Sequence, residues 1–475
     1  MRFFTVIATL LFLHLQLTGS AKACPQGICE NSWKTASKSQ KEQAFDIGDS
    51  YKDFLFTART ELTTVQKTIA LAEKRGFKPW QTGTSIKPGD KYYHNNRDRG
   101  LLLILGGKKP VSKGVRIVAS HIDSPRLDLK LRPLYATNEF ALVQTNYHGR
   151  IKAYQWTNVP LALVGRIDKK DGTIVNVSVG LQPDDPIFMI TDLSPHVAKD
   201  QMKRSAETVI SYEDLDAIIN HGPDGKLDVL ASVLAYLKNT YGVEQADLVS
   251  SELALVPAMP PRDMGLNRHL IAADGHDDRL GAYTSLAALF SMATPEQTAI
   301  ILFADNEEGG NVNVTGASSS YLQDIIGELI YAETGDAYRQ PMLARALRAS
   351  TALSIDMNPG INPLDTSVWE EGNAPRLGYG VNIKAYGRGL NADSETTAWI
   401  RAAFDSRNIP WQTTTYKVGK AGGGTLGTEL SKLNIDTIDF GAPVLSIHSP
   451  YGVCDKMDIL SLKNAVQAFL EYNRP

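Results

Sequence analysis

Two textures alternate along much of this chain: short, mostly apolar runs cut off by Gly, Pro or charged residues, and stretches whose apolar positions recur every three or four residues. Phe54, Leu55, Ala58, Leu62, Val65 and Ile69 have the second spacing and predict a helix over Ser50–Arg75, stopped by Gly76 and Pro79. LLLILGG (Leu101–Gly107) and VRIVASH (Val115–His121) have the first, as strands buried on both faces do. The alternation returns later with a helix at Ala282–Met292, a strand in TAIILFAD, a helix in SSYLQDIIGELI and a strand in TALSIDM. This order predicts an α/β layered domain, a central mixed sheet flanked by helices.

Between residues 128 and 259 the pattern changes to short runs bearing Gln, Asn and Tyr, a Lys169–Gly172 turn and the alternating strand TIVNVSVG. These are hairpin signals rather than βαβ units. We read 128–259 as a β-rich domain inserted into a discontinuous one made of residues 30–127 and 260–475. Its later part, KLDVLASVLAYLKNTYG, has helical spacing, and the Pro-rich segment Pro257–Asp263 serves as the return linker.

A chain of 475 residues with 43% hydrophobic residues has ample core for such an arrangement. Its 49 basic and 52 acidic residues give a net charge of −3, without a basic cluster interleaved with aromatics, so nucleic acid is not expected as a partner. Residues 1–23 combine Arg2, an apolar run from Phe3 to about Leu17 and the triplet Ala21-Lys22-Ala23, the layout of a cleaved export signal. His14 and Gln16 interrupt the run short of the ~20 apolar residues that a membrane span needs, and no later segment reaches that length. The expected location is periplasmic or secreted. Lipid anchoring at Cys24 is an alternative, although Ala21 stands where Leu is usual. Only Cys24, Cys29 and Cys454 are present; Cys24 and Cys29 either close a small disulfide loop or remain free thiols.

Five places put a histidine or acid at the end of an apolar run, where ligands of open α/β sheets collect. They are SHIDSP with His121 and Asp123, GHDDRLGAY with Asp277 and Asp278, DNEEGG with Glu307 and Glu308, SIDMNPG with Asp356, and VLSIHSP with His448. His121 and Asp123 are two apart and in extended backbone share a side, so the carboxylate can orient the imidazole. Each place alone is an ordinary surface feature; together they suit two divalent cations. His121 and Asp356 would serve one, Glu308 and His448 the other, and Asp277 would bridge them. Each ion then has three protein ligands and an open position, as catalytic sites require. Two +2 ions, three carboxylates and a bridging hydroxide as nucleophile sum to zero charge. Glu307, beside Glu308, is left to take and return a proton as general base and acid.

HIDSP, DDRLGAY, DNEEGG with the following NVTGASS, SIDMNPGINP and PVLSIHS, in this order, resemble the aspartyl aminopeptidase family of co-catalytic zinc metallopeptidases over nearly the whole chain after the leader. The resemblance implies the same ligands, with Glu307 as general base and Asp123 orienting His121. Zinc is the implied metal, with Mn or Co as alternatives. It further implies that the inserted domain serves dimerisation, and that dimers assemble into a tetrahedral dodecamer. His196 in FMITDLSPHV would enter a neighbouring subunit's active site, and Lys384 in GYGVNIKAY would recognise an acidic side chain on a peptide substrate.

In AGGGTLG no Gly-Lys-Ser/Thr follows, which excludes a phosphate loop; Gly423 and Gly424 would instead let backbone approach a bound peptide. The chain departs from the family pattern in its leader and in Gly309-Gly310, where Val- or Ile-Gly is commoner. The expected function is removal of N-terminal residues, Asp or Glu among them, from peptides. The alternatives are a related di-zinc carboxypeptidase or amide deacylase, and an inactive metal-bearing scaffold.

Overall fold

The apolar runs assemble into one nine-stranded sheet. Its spatial order is Lys78–Pro79, Lys91–Asn96, Gly100–Leu105, Ala299–Ala304, Arg116–His121, Thr351–Ile355, Asp436–Gly441, Val381–Lys384 and Trp411–Thr414. Ala299–Ala304, Arg116–His121, Thr351–Ile355 and Asp436–Gly441 run parallel at the centre, with antiparallel neighbours on both sides. The sheet is therefore mixed, as the sequence predicts. These features come from a computed structural model that describes residues 30–384, 390, 392–420 and 422–473. The leader 1–23, Cys24 and Cys29 lie outside the described residues.

Every residue of Gly100–Leu105, Arg116–His121, Ala299–Ala304 and Thr351–Ile355 is buried, which is why these runs show no polar alternation. Successive side chains take opposite faces. Leu103, Val118, Ile301 and Leu353 pack with helices Lys38–Thr57, His276–Ser291 and Lys456–Glu471, while Leu102, Ile117, Ile300 and Ala352 pack with Tyr321–Thr334 and Pro341–Arg348.

The helix expected over Ser50–Arg75 is two helices, Lys38–Thr57 and Glu61–Glu73. Apolar spacing continues across the break because both present their apolar sides to the same core. The interruption is set by polar groups: the Thr60 side chain caps the second helix at Thr63 N–H, and buried Arg59 donates to the carbonyls of Phe56, Pro257 and Met259.

A second sheet of six antiparallel strands occupies the segment from Arg126 to Pro257, in the order Ile174–Val179, Leu161–Asp168, Ser251–Pro257, Arg126–Thr137, Phe140–His148 and Ala217–His221. Helix Val229–Tyr241, capped by Asp228 and ended by left-handed Gly242, covers part of it through Val229, Val233 and Leu237. Among the described residues, no helix is long and apolar enough to cross a membrane.

Candidate metal centre

Parallel alignment of the central strands brings their carboxyl ends to one edge. His121 ends its strand, Asp356 directly follows Ile355, and Glu307 and Glu308 follow Ala304 by three and four residues. Asp277 arrives from outside this sheet. Strand Leu270–Ala273 belongs to a three-stranded sheet and turns at left-handed Gly275 into helix His276–Ser291, where Asp277 and Asp278 depart from helical dihedrals and are joined by a cis peptide. His448 was expected directly after a strand. The strand is only Pro443–Val444, and His448 instead follows a turn in which Ser446 and His448 itself have positive φ, 55° and 62°. That turn aims the ring back toward the edge.

The result is two triads that share Asp277. Ligand atoms of His121, Asp277 and Asp356 lie within 4.8 Å of one another, as do those of Asp277, Glu308 and His448. His121 Nε2 stands 3.2 Å from Asp277 Oδ1, and His448 Nε2 stands 3.2 Å from both Asp277 Oδ2 and Glu308 Oε1. The outward nitrogens are spoken for. His121 Nδ1 is 3.0 Å from the Asp123 carbonyl and 3.3 Å from its Oδ1, and His448 Nδ1 is 2.8 Å from the Arg150 carbonyl. Both rings therefore turn Nε2 inward, the tautomer that a metal ligand needs.

Electrostatics supply the fit test for cations. Burial pushes the Glu308 carboxyl up to about 8, against the opposing charge of His448, and raises Asp356 well above the usual range despite Lys384. Asp277 moves the other way: burial would raise it, but hydrogen bonds with His121 and His448 hold it low. Glu308 Oε1 is buried and, among the described residues, makes no hydrogen bond, meeting His448 Nε2 at 3.2 Å only as an ion-pair contact. Three carboxylates crowded around two inward-facing imidazole nitrogens form a donor set that suits divalent cations.

Glu307 also faces this centre, and burial raises its carboxyl in the field of His121 and Asp277. Its backbone and that of Glu308 are fixed by one residue, since Glu307 N–H donates to Asp123 Oδ1 and Glu308 N–H to Asp123 Oδ2, each at 3.1 Å. The loop beyond is tied by Asp305, which accepts from Asn313 and Thr315. Lys384 reaches the centre from strand Val381–Lys384, two places along the sheet from the strand that Asp356 follows, its Nζ donating to the carbonyls of Asp356 at 2.7 Å and Met357 at 3.3 Å.

Two expectations find no contact in this protomer. His196 lies in an exposed turn between strands Ile174–Val179 and Ala217–His221 and, among the described residues, meets none of the cluster. A Cβ on Gly423 or Gly424 would meet open space, so nothing among the described residues demands glycine there.

Sequence reasoning missed His148, whose Nε2 donates to Asp123 Oδ2 at 2.8 Å, and Tyr416, whose phenol is raised by burial and by the nearby charges of Asp356 and Asp277 while its ring stacks on Trp369. Only a strand-pairing register could have revealed His148, which lies opposite Arg126, three residues beyond Asp123.

A mixed sheet whose carboxyl edge gathers two imidazoles and three buried carboxylates around a shared aspartate defines a metal-dependent hydrolase. The chain belongs to the M18 family, the family of the aspartyl aminopeptidases: residues 54–470 match Aminopeptidase I zinc metalloprotease (M18). It is 38% identical over 456 residues to a probable M18 family aminopeptidase 1 of Clostridium acetobutylicum, covering 93% of this chain and 98% of that one. The crystal structure of an M18 aminopeptidase from Thermotoga maritima superposes with a TM-score of 0.88 at 33% identity, covering 93% of this chain and 99% of the other. A structure of the S. cerevisiae mApe1 dodecamer, 22% identical, shares the fold with a TM-score of 0.74 over 89% of this chain and 96% of that one. This protein is thus a metal-dependent aminopeptidase, a peptide hydrolase.

Proposed function

We propose that the chain is an exported exopeptidase that uses two zinc ions to remove N-terminal residues, acidic ones preferred, from peptides. One observation carries this reading: two three-residue clusters meet at a single carboxylate, Asp277. His121 and Asp356 would hold one ion, Glu308 and His448 the other, and Asp277 both. When bound, such ions supply Lewis-acid activation of water and of the scissile carbonyl.

The remaining work falls to side chains. Glu307, its carboxyl raised by burial, takes a proton from the attacking water and returns it to the leaving amine. Its backbone is immobilised by Asp123, which also orients His121. Lys384 presents its ammonium beside Asp356, where an acidic side chain of the N-terminal residue would find a partner. Gly423 and Gly424 offer unobstructed backbone to the rest of the peptide. Export rests on the leader in residues 1–23.

Self-association fits this reading. Around His196, Leu193, Val197 and Met202 are 56%, 68% and 71% exposed, an apolar surface suited to burial against a second subunit. The dodecamer described for the mApe1 fold relative supports assembly of the same order, in which His196 would complete a neighbouring site.

The decisive experiment is turnover by zinc-loaded protein of matched peptides beginning with Asp, Glu, Leu or Lys, with and without an N-acetyl group. Cleavage of free-amine Asp and Glu peptides ahead of Leu and Lys is expected. Cleavage of acetylated peptides alone would replace this reading with an amide-deacylase one.

A further inference from the structure

Asp123 is fully buried, and each of its oxygens is used twice. Oδ1 accepts Glu307 N–H at 3.1 Å and lies 3.3 Å from His121 Nδ1; Oδ2 accepts Glu308 N–H at 3.1 Å and His148 Nε2–H at 2.8 Å. The His148 contact is the shortest of the four. It is also the one that comes from the six-stranded sheet, because His148 ends strand Phe140–His148.

The next two residues continue the contact. Gly149 has φ +73°, and a Cβ there would stand 3.0 Å from Glu308 Oε2, so the backbone passes directly under a candidate ligand. The carbonyl of Arg150 then accepts His448 Nδ1–H at 2.8 Å. Of these three consecutive residues, Gly149 and Arg150 thus meet the second triad at Glu308 and His448, and His148 reaches the first through Asp123, the partner of His121.

We propose that His148 is a positioning residue for the metal centre, acting through Asp123, and that the turn from His148 to Arg150 is how the six-stranded sheet fixes the spacing of the two triads. The proposal rests on the reading that these triads hold zinc. Its physical basis is that Asp123 can orient His121, Glu307 and Glu308 only while its own carboxylate is fixed. Without the His148 donor, a buried carboxylate oxygen loses a charge-assisted bond and gains freedom to turn. Three groups would loosen together. Outer partners of metal ligands are worth about 10- to 100-fold in metal affinity or activity.

The test uses the full chain as His148→Leu, which removes the donor, and His148→Gln, which keeps an N–H in reach. Zinc retention is measured by competition with a chromogenic chelator, alongside kcat, KM and the melting temperature of zinc-free protein. The Leu variant is expected to hold zinc about 10- to 100-fold more weakly, with kcat falling and KM little changed, and the Gln variant to recover most of the retention. A Leu variant with wild-type zinc retention and kcat would overturn the proposal. So would a lowered zinc-free melting temperature as its only defect, or a Gln variant as impaired as Leu. Failure of the wild-type chain itself to bind zinc would be a separate result, removing the metal centre and this proposal with it.

Discussion

Asp277 and His448 face each other at 3.2 Å, Oδ2 against Nε2, while the other oxygen of the same carboxylate stands 3.2 Å from His121 Nε2. One side chain therefore belongs to both triads, which makes its substitution different in kind from that of any other ligand. Asp277→Asn keeps the shape but removes the shared charge; elemental analysis should find both zinc equivalents depleted and turnover lowered more than about 100-fold, beyond what outer partners of ligands are worth. His448→Ala, in contrast, should deplete one equivalent. Loss of a single equivalent in the Asp277 variant would show that the carboxylate does not bridge.

Glu307 should separate chemistry from metal binding. It stands outside both triads, yet its carboxyl lies in the field of His121 and Asp277. Glu307→Gln preserves volume and removes the base, so kcat is expected to fall about 10²- to 10⁴-fold with zinc content unchanged. Zinc loss on the same scale as the activity loss would make Glu307 a ligand instead.

Much of this arrangement was legible because strand ends and chemistry coincide. His121, Asp356 and the Glu307–Glu308 pair each follow a mostly apolar, fully buried run, and such runs place their last residues at one sheet edge. What could not be read depends on distant register or on backbone sign. The link from His148 to Asp123 needs the pairing of His148 with Arg126, and nothing local in NYHGR announces that partner. The turn at His448 depends on positive φ at two non-glycine residues, which residue type does not reveal. The break at Thr60 was hidden differently, since a polar cap and a buried Arg59 interrupt an apolar spacing that itself continues. Among the described residues, His196 is exposed and a Cβ on Gly423 or Gly424 would meet nothing within 4 Å, so their expected roles find no partner within one protomer.

Zinc-free protein should be sensitive to alkali in a way that zinc suppresses. Burial lifts Glu308 to about 8, and His448, which burial alone would lower, is lifted to about 9 by Asp277 and Glu308. Both values exceed the unfolded ones of about 4.3 and 6.5, so the folded state holds the extra protons. Their stabilisation is complete below the unfolded values and is lost as pH rises through 8 to 9. Cations take the place of those protons. The rise in melting temperature on adding zinc should therefore be larger at pH 8.5 than at pH 6, as differential scanning fluorimetry would read. A zinc increment that shrinks over this range would contradict the assignment of Glu308 and His448 to the metal.

Lys384 offers the sharpest view of substrate preference. Its Nζ donates to the carbonyls of Asp356 and Met357 and lies 3.9 Å from Asp356 Oδ1. An ammonium carries three protons, and two are engaged, which leaves one for a carboxylate on an incoming residue. A hydrogen bond to a charged group contributes about 1.5–3 kcal/mol, roughly 10- to 150-fold in kcat/KM. Lys384→Met should lower kcat/KM by that factor for peptides beginning with Asp, and by much less for those beginning with Leu. The two bonds to the strand end predict a smaller, substrate-independent loss as well, because Asp356 would be less firmly placed. Steady-state kinetics on the matched pair separates the contributions. An equal fall for Asp and Leu peptides would mean that Lys384 acts only through Asp356, with acid recognition lying elsewhere.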